Sequence, residues 1–224
     1  MQGKTVVITG ATSGIGEVAA VALARAGARI VMVARDAARA DVTMARLAGQ
    51  GHTVHLADLS RLSEMKRVAA EIAARETRID VLINNAGALF NTREVTEDGL
   101  EKTFATNHLA YFVMTALLLP RLKATPGARI VSTASDAHRG AKLDFTDLQS
   151  ARRYSGFSVY GRSKLMNILF TRELARRLDG SGVTANCLHP GFVATRFGDR
   201  SGGIMSVAIR MAKPFAGLSP EKGA

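Results

Sequence analysis

Tyr160 and Lys164 lie four positions apart in a segment whose apolar residues recur every three or four places, through Ile168, Phe170, Leu174 and Leu178. That period predicts an amphipathic helix over 154–178. It puts the phenol and the ammonium on one face, one turn apart. A cation within about 4–6 Å favours the phenolate and lowers a tyrosine from its usual value near 10. General acid–base catalysis near neutral pH needs such a group. Taken alone, the pair is more simply a surface tyrosine beside a surface lysine; the rest of the chain overturns that explanation.

The elements that would position the pair alternate. Short apolar strands are predicted at 4–9, 29–33, 53–56, 80–83, 129–133 and 183–188. Helical patterns lie between them at 14–26, 36–48 and 61–75, within 99–123, and at 154–178. Apolar strands without in–out alternation, divided by helices, predict a parallel sheet covered on both faces. The expected architecture is α/β: a single doubly wound Rossmann-type domain over 1–224, with six strands. In such folds ligands bind outside the carboxyl ends of the strands.

The first strand leads into Thr9-Gly10-Ala11-Thr12-Ser13-Gly14-Ile15-Gly16. Glycines permit a tight turn, close approach to a pyrophosphate and close helix packing, and a helix N-terminus attracts the anion. The spacing is G-x-x-x-G-x-G rather than G-x-G-x-x-G; its place after strand one makes Gly10, Thr12, Ser13, Gly14, Ile15 and Gly16 candidates for a nucleotide site. Strand two ends Val33-Ala34-Arg35. Ala34 stands where an NAD-binding fold carries its ribose acid, and Arg35 follows, so NADP(H) is expected over NAD(H). Asp58 and Leu59, after strand three, are placed near the adenine; Asp58 is equally suited to cap the following helix.

Six features follow one another in order: the glycine turn, Asn84-Asn85-Ala86-Gly87 after strand four, Asn107, Ser135 after strand five, Tyr160-x-x-x-Lys164, and Pro190-Gly191 after strand six. In this the chain resembles the classical short-chain dehydrogenase/reductase superfamily, from Lys4 to about Thr195. Tyr154-Ser155, the run from Tyr160 to Leu174 and the long interval between Ser135 and Tyr160 resemble its retinol dehydrogenase and protochlorophyllide reductase branch. The resemblance implies that Tyr160 exchanges a proton with the substrate oxygen. Lys164 would lower the tyrosine pKa and bond the nicotinamide ribose, and Ser135 would hold the substrate oxygen. Asn107 would hold a water linking Lys164 to solvent; it could simply bond backbone at a helix kink, which in this family it does as well. Asn85, Ala86 and Gly87 would line the cofactor, and Pro190, Gly191, Val193 and Thr195 would cover the nicotinamide. Ser132 is a rival to Ser135 that fits the register less well.

Other features bound the function. A formal charge of +11 suggests nucleic acid, but the 30 Lys and Arg are spread along helices and no Trp is present for base stacking. Nucleic-acid binding ranks last. A mean hydropathy of +0.08 and the lack of an apolar run of 18 residues predict no integral membrane segment. No room is left for a secretory signal before the first strand, and one cysteine, Cys187, excludes intrachain disulfides, so a cytoplasmic location is expected. Cys187 itself reads as a buried structural thiol. His52 and His55 point to opposite faces of a strand, and His108, His138 and His189 lack ligand spacing, so no metal is expected. His138 is a candidate for the substrate mouth.

After Thr195 the chain departs from the family pattern. Ile204–Ala212 reads as one short apolar helix, lid or core, stopped by Pro214, and Ser219-Pro220-Glu221 is a helix start at the end of the sequence. A truncated C-terminal part, without the family's final strand, is therefore expected. The expected activity is NADP(H)-dependent interconversion of a carbonyl and an alcohol on a small or medium apolar molecule, with a homo-oligomer compatible. A non-catalytic nucleotide sensor or scaffold on the same fold is the alternative.

Overall fold

The computed structural model describes residues 1–191. Val193, Thr195, the 204–212 segment and the helix start at Ser219 lie outside the described residues, as does the question of a last strand.

The strands are β1 (Thr5–Thr9), β2 (Arg29–Ala34), β3 (Thr53–Leu56), β4 (Val81–Asn84), β5 (Arg129–Thr133) and β6 (Thr184–Leu188). They form a parallel sheet in the order β3-β2-β1-β4-β5-β6. The helices are α1 (Gly14–Arg25), α2 (Ala37–Met44), α3 (Leu62–Arg75), α4 (Lys102–Phe104), α5 (Ala110–Lys123) and α6 (Gly156–Arg177), with a π-helical turn at Ala105–Leu109. Because β1, and β2 beyond Arg29, are buried, their alternate residues feed two cores. Val7, Val31 and Val33 pack with Met65, Ile72, Met114, Leu118 and Leu174 from α3, α5 and α6. Val6, Ile8, Ile30 and Met32 pack with Ala20, Val21, Ala24 and Ala40 from α1 and α2. This is the reason the strands carry no polar alternation.

Where boundaries differ from the sequence pattern, side chains account for it. Asp36 caps α2 by accepting from the Arg39 amide at 3.1 Å, but the helix ends at Met44, where Arg46 and Leu47 tighten into i→i−3 turns. Glu101 starts the helical stretch before α5, accepting from the Thr103 and Phe104 amides at 2.7 Å. Tyr154 lies outside α6 because its hydroxyl donates to the Phe90 carbonyl at 3.0 Å. Asp80 precedes β4, where it holds the Thr5 amide, Lys4 and Arg78.

Cys187 is a correction. It is exposed, because β6 is the edge of the described sheet, paired to β5 alone, so an apolar strand sequence there does not guarantee burial. No helix of the described residues is long and apolar enough to cross a membrane.

Candidate active site

The glycine turn, Arg35, Asp58, the Asn85–Gly87 loop, Ser135 and Pro190 all follow the carboxyl ends of their strands, so one edge of the sheet collects them. The turn after β1 is built against the loop after β4. The Thr9 hydroxyl accepts from the amides of Asn85 and Ala86, both at 3.0 Å. The Asn85 side-chain amide donates back to the Thr9 and Gly10 carbonyls at 3.1 and 3.2 Å. Gly10 has φ +71°, and a Cβ there would lie 2.8 Å from Ala86 Cα. A Cβ on Gly16 would overlap the Asn85 amide and the Gly10 carbonyl. Gly14 has φ +57°, the left-handed conformation that glycine adopts without strain.

This cradle fits a dinucleotide. Backbone comes close on both sides, and Ser13, at the N-cap of α1, makes no side-chain cap bond, which leaves its hydroxyl available to a phosphate. At the end of β2, Ala34 is buried and Arg35 is exposed; among the described residues Arg35 has no hydrogen-bond or ion-pair partner. Asp36, the nearest acid, is committed to α2 through the Arg39 amide and guanidinium. Asp58 accepts from the amide and hydroxyl of Ser60 at 2.9 and 2.8 Å. It does not cap α3: the Leu62 amide goes to Asp98 at 2.8 Å. Leu59 is buried in the core below.

Tyr160 and Lys164 are both buried, at 8% and 3% exposure, not surface residues. Tyr160 is hydrogen-bonded to Ser135, whose hydroxyl also accepts from the Ala137 amide at 3.2 Å. Ser132 is fully buried within β5 and its hydroxyl has no partner, so Ser135 alone of the two reaches the tyrosine. Lys164 Nζ donates to the Thr133 carbonyl at 2.9 Å and lies 5.6 Å from the centroid of the Tyr160 ring.

The electrostatics correct the sequence argument. Burial pushes Tyr160 up to about 12, against the Ser135 hydrogen bond, and pushes Lys164 down to about 7. Removing both groups from water disfavours both charges. Without a ligand, Tyr160 is therefore a neutral proton donor at physiological pH.

Asn107 sits in the π-helical turn, fully buried. Its Oδ1 accepts from the Ala88 amide at 2.9 Å, and its Nδ2 donates to the Ala88 carbonyl at 2.8 Å and to Ser163 Oγ at 3.1 Å. Its own carbonyl accepts from Asn167 Nδ2 at 2.8 Å, and Asn167 Oδ1 faces His108 Nδ1 at 2.9 Å. These atoms perform the backbone bonding expected of Asn107 at a kink. Gly87 lies where a Cβ would stand 3.4 Å from Lys164 Nζ and 3.5 Å from Asn107 Oδ1.

His138 Nδ1 lies 2.6 Å from the Ser135 carbonyl, beside the tyrosine, and His189 pairs with Asp136 at 3.3 Å when protonated. His52 accepts from the Ile30 amide, and buried His55 faces Glu71. Among the described residues no three His, Cys, Asp or Glu are grouped to hold a metal. Pro190 and Gly191 follow β6 as expected, with Gly191 at φ +77°.

Sequence reasoning missed Thr9, Tyr111, Ser163 and Asn167. Asn167 carried a signal: it is a polar residue on the apolar stripe of α6, one turn beyond Lys164, and it is fully buried. Thr9 carried none, because a β-branched hydroxyl in a strand is ordinary.

A parallel sheet in this order, with a glycine turn after its first strand and buried Tyr160 and Lys164 beside half-buried Ser135 at its carboxyl edge, defines a dinucleotide-fold protein with a candidate acid–base site. The model of the short chain dehydrogenase family matches residues 4–202, and the chain belongs to that family. It is 43% identical over 205 residues to human retinol dehydrogenase 13, covering 89% of this chain and 62% of that protein. A protein of Streptomyces sp. (strain C5) named for daunorubicin C-13 ketoreduction is 42% identical over 228 residues, covering 100% of this chain and 76% of that one. Among solved structures, a short-chain dehydrogenase from Sphingobium yanoikuyae in complex with NADPH superposes with a TM-score of 0.80 at 28% identity, covering 98% and 80% of the two chains. The chain spans 62–64% of the length of the first retinol dehydrogenases it matches.

Proposed function

We propose that this protein is an NADP(H)-dependent oxidoreductase that interconverts a carbonyl and an alcohol on an apolar small molecule. The observation that carries it is Tyr160, buried, neutral and hydrogen-bonded to Ser135, with Lys164 one turn away at the ligand edge of the sheet. When bound, the nicotinamide supplies or accepts the hydride. In reduction Tyr160 donates its proton to the substrate oxygen, and Ser135 bonds that oxygen as charge develops on it. In oxidation the tyrosine takes the proton back. Lys164 bonds the ribose and, as a cation, favours the phenolate left after transfer.

For the cofactor, Gly10, Thr12, Ser13, Gly14, Ile15 and Gly16 take the pyrophosphate. Asp58 and Leu59 take the adenine, Asn85, Ala86 and Gly87 flank the ribose and nicotinamide, and Pro190 and Gly191, after β6, flank the nicotinamide; Val193 and Thr195 lie outside the described residues. Arg35 takes the 2′-phosphate, which supports NADP(H) over NAD(H): it is exposed and unpaired among the described residues, and no free acid stands beside it. The relatives named for retinol and for daunorubicin C-13 ketoreduction support an apolar substrate, and the 28% identical neighbour holds NADPH.

Tyr160→Phe tests the reading. It should lower kcat/KM about 10²–10⁴-fold on any carbonyl the wild type reduces, with NADPH affinity retained. Wild-type NADPH binding without turnover across a panel of apolar aldehydes and ketones would favour the non-catalytic sensor instead.

A further inference from the structure

Among the described residues no carboxylate balances the buried Lys164 ammonium. Burial is the one cause of its shift, and no acid or second cation contributes. β5 offers the Thr133 carbonyl, at 2.9 Å, and the loop after β4 comes close enough that a Cβ on Gly87 would stand 3.4 Å from Nζ. The Asn107 amide oxygen of the π-helical turn is taken by the Ala88 amide at 2.9 Å. The titratable groups facing it are Tyr160 on its own helix and Tyr111 on α5, whose ring centroids are each 5.6 Å from Nζ. Tyr160 has its own task at the substrate. Tyr111 has none: it is 1% exposed, and its hydroxyl reaches the same Thr133 carbonyl at 3.5 Å, the long limit of a hydrogen bond.

We propose that Tyr111 is a positioning residue whose ring face holds the Lys164 ammonium charged and in place between α5 and α6. This rests on Lys164 being the lysine of the proposed acid–base pair. A desolvated cation over an aromatic face is attracted by the ring quadrupole. Burial also keeps the Tyr111 hydroxyl protonated far above the ordinary tyrosine range, so the ring acts as a neutral π face. Removing the face leaves the ammonium with the Thr133 carbonyl and the Tyr160 ring, and its proton leaves at lower pH.

The test replaces Tyr111 with residues of nearly constant shape: Tyr111→Phe, then the same position carrying 4-fluoro-, 3,5-difluoro- and 3,4,5-trifluorophenylalanine, which drain the ring face stepwise. In the full chain without cofactor, Lys164 is followed through its 13Cε and 15Nζ resonances, assigned by their loss in Lys164→Arg. Tyr111→Phe should keep the midpoint within about 0.3 pH unit, and the fluorinated series should lower it stepwise by about one unit in all. A flat series overturns the proposal. So does a fall on Tyr111→Phe as large as that of the trifluoro residue, which would make the hydroxyl the active part. Melting temperatures near wild type across the series keep the comparison within one fold. The titration uses neither substrate nor cofactor, so it fails or succeeds independently of the Tyr160→Phe turnover result.

Discussion

Burial sets the chemistry of single residues here more than pairing does. Spacing alone puts Tyr160 beside Lys164, and that much was legible in the sequence. It could not reveal that both leave water, which reverses the sign of the tyrosine shift and makes the lysine the group that titrates near neutrality. NADPH affinity should therefore fall as pH rises through about 7, where Lys164 loses its proton, and this limb should vanish in Lys164→Met; fluorescence titration across pH 5.5–9 checks it. The same lysine affects folding. Its folded value lies below the ordinary 10.5, so its burial costs stability below pH 7, and the cost is relieved as pH rises toward 10.5. Asp80 has the opposite sign. Set among Arg78, the Thr5 amide and Lys4, it lies near 2 rather than 3.8. Its contribution is present above about pH 4 and lost as pH falls from 4 to 2. Urea unfolding of Asp80→Asn should show a loss of about 1–2 kcal/mol at pH 7, after allowing for the exposed lysine and arginine, and a shallower acid limb.

Each element is held to the next by side chains that its own pattern did not advertise. The glycine turn was legible as a tight turn after β1, but part of its glycine content answers to the Asn85 side chain packed against Gly10 and Gly16. Gly16→Ala must push that amide away, detaching the loop after β4 from β1; NADPH affinity should drop at least about tenfold, read by calorimetry, with the fold intact by circular dichroism. The long helical pattern within 99–123 was legible as helix, but not its π turn, because hydrophobic periodicity tolerates one extra residue. The Asn107 carbonyl in that turn is satisfied across α6 by Asn167. Asn167→Leu leaves this carbonyl and the His108 ring without that partner in the core. Chemical unfolding should show a loss of about 1–3 kcal/mol, and an unchanged midpoint would show that the amide does not support the turn.

For the molecule as a whole, strand order and sidedness explain why six separate sequence features meet. Every β–α connection brings its loop to the same edge, so residues as distant as Gly10 and Lys164 come to one site. That architecture was readable from unalternated strands and intervening helices, and most strand bounds hold within a residue or two. Cys187 was not: a sequence pattern cannot say which strand lies at the edge of a sheet. The account depends most on this edge binding a phosphorylated dinucleotide through Arg35, which isothermal titration calorimetry of wild type and Arg35→Ala with NADPH and NADH measures directly. The account predicts tighter binding of NADPH than of NADH, with the preference lost in Arg35→Ala while NADH affinity is kept. Equal binding of the two cofactors by the wild type, or no binding of either, would contradict it.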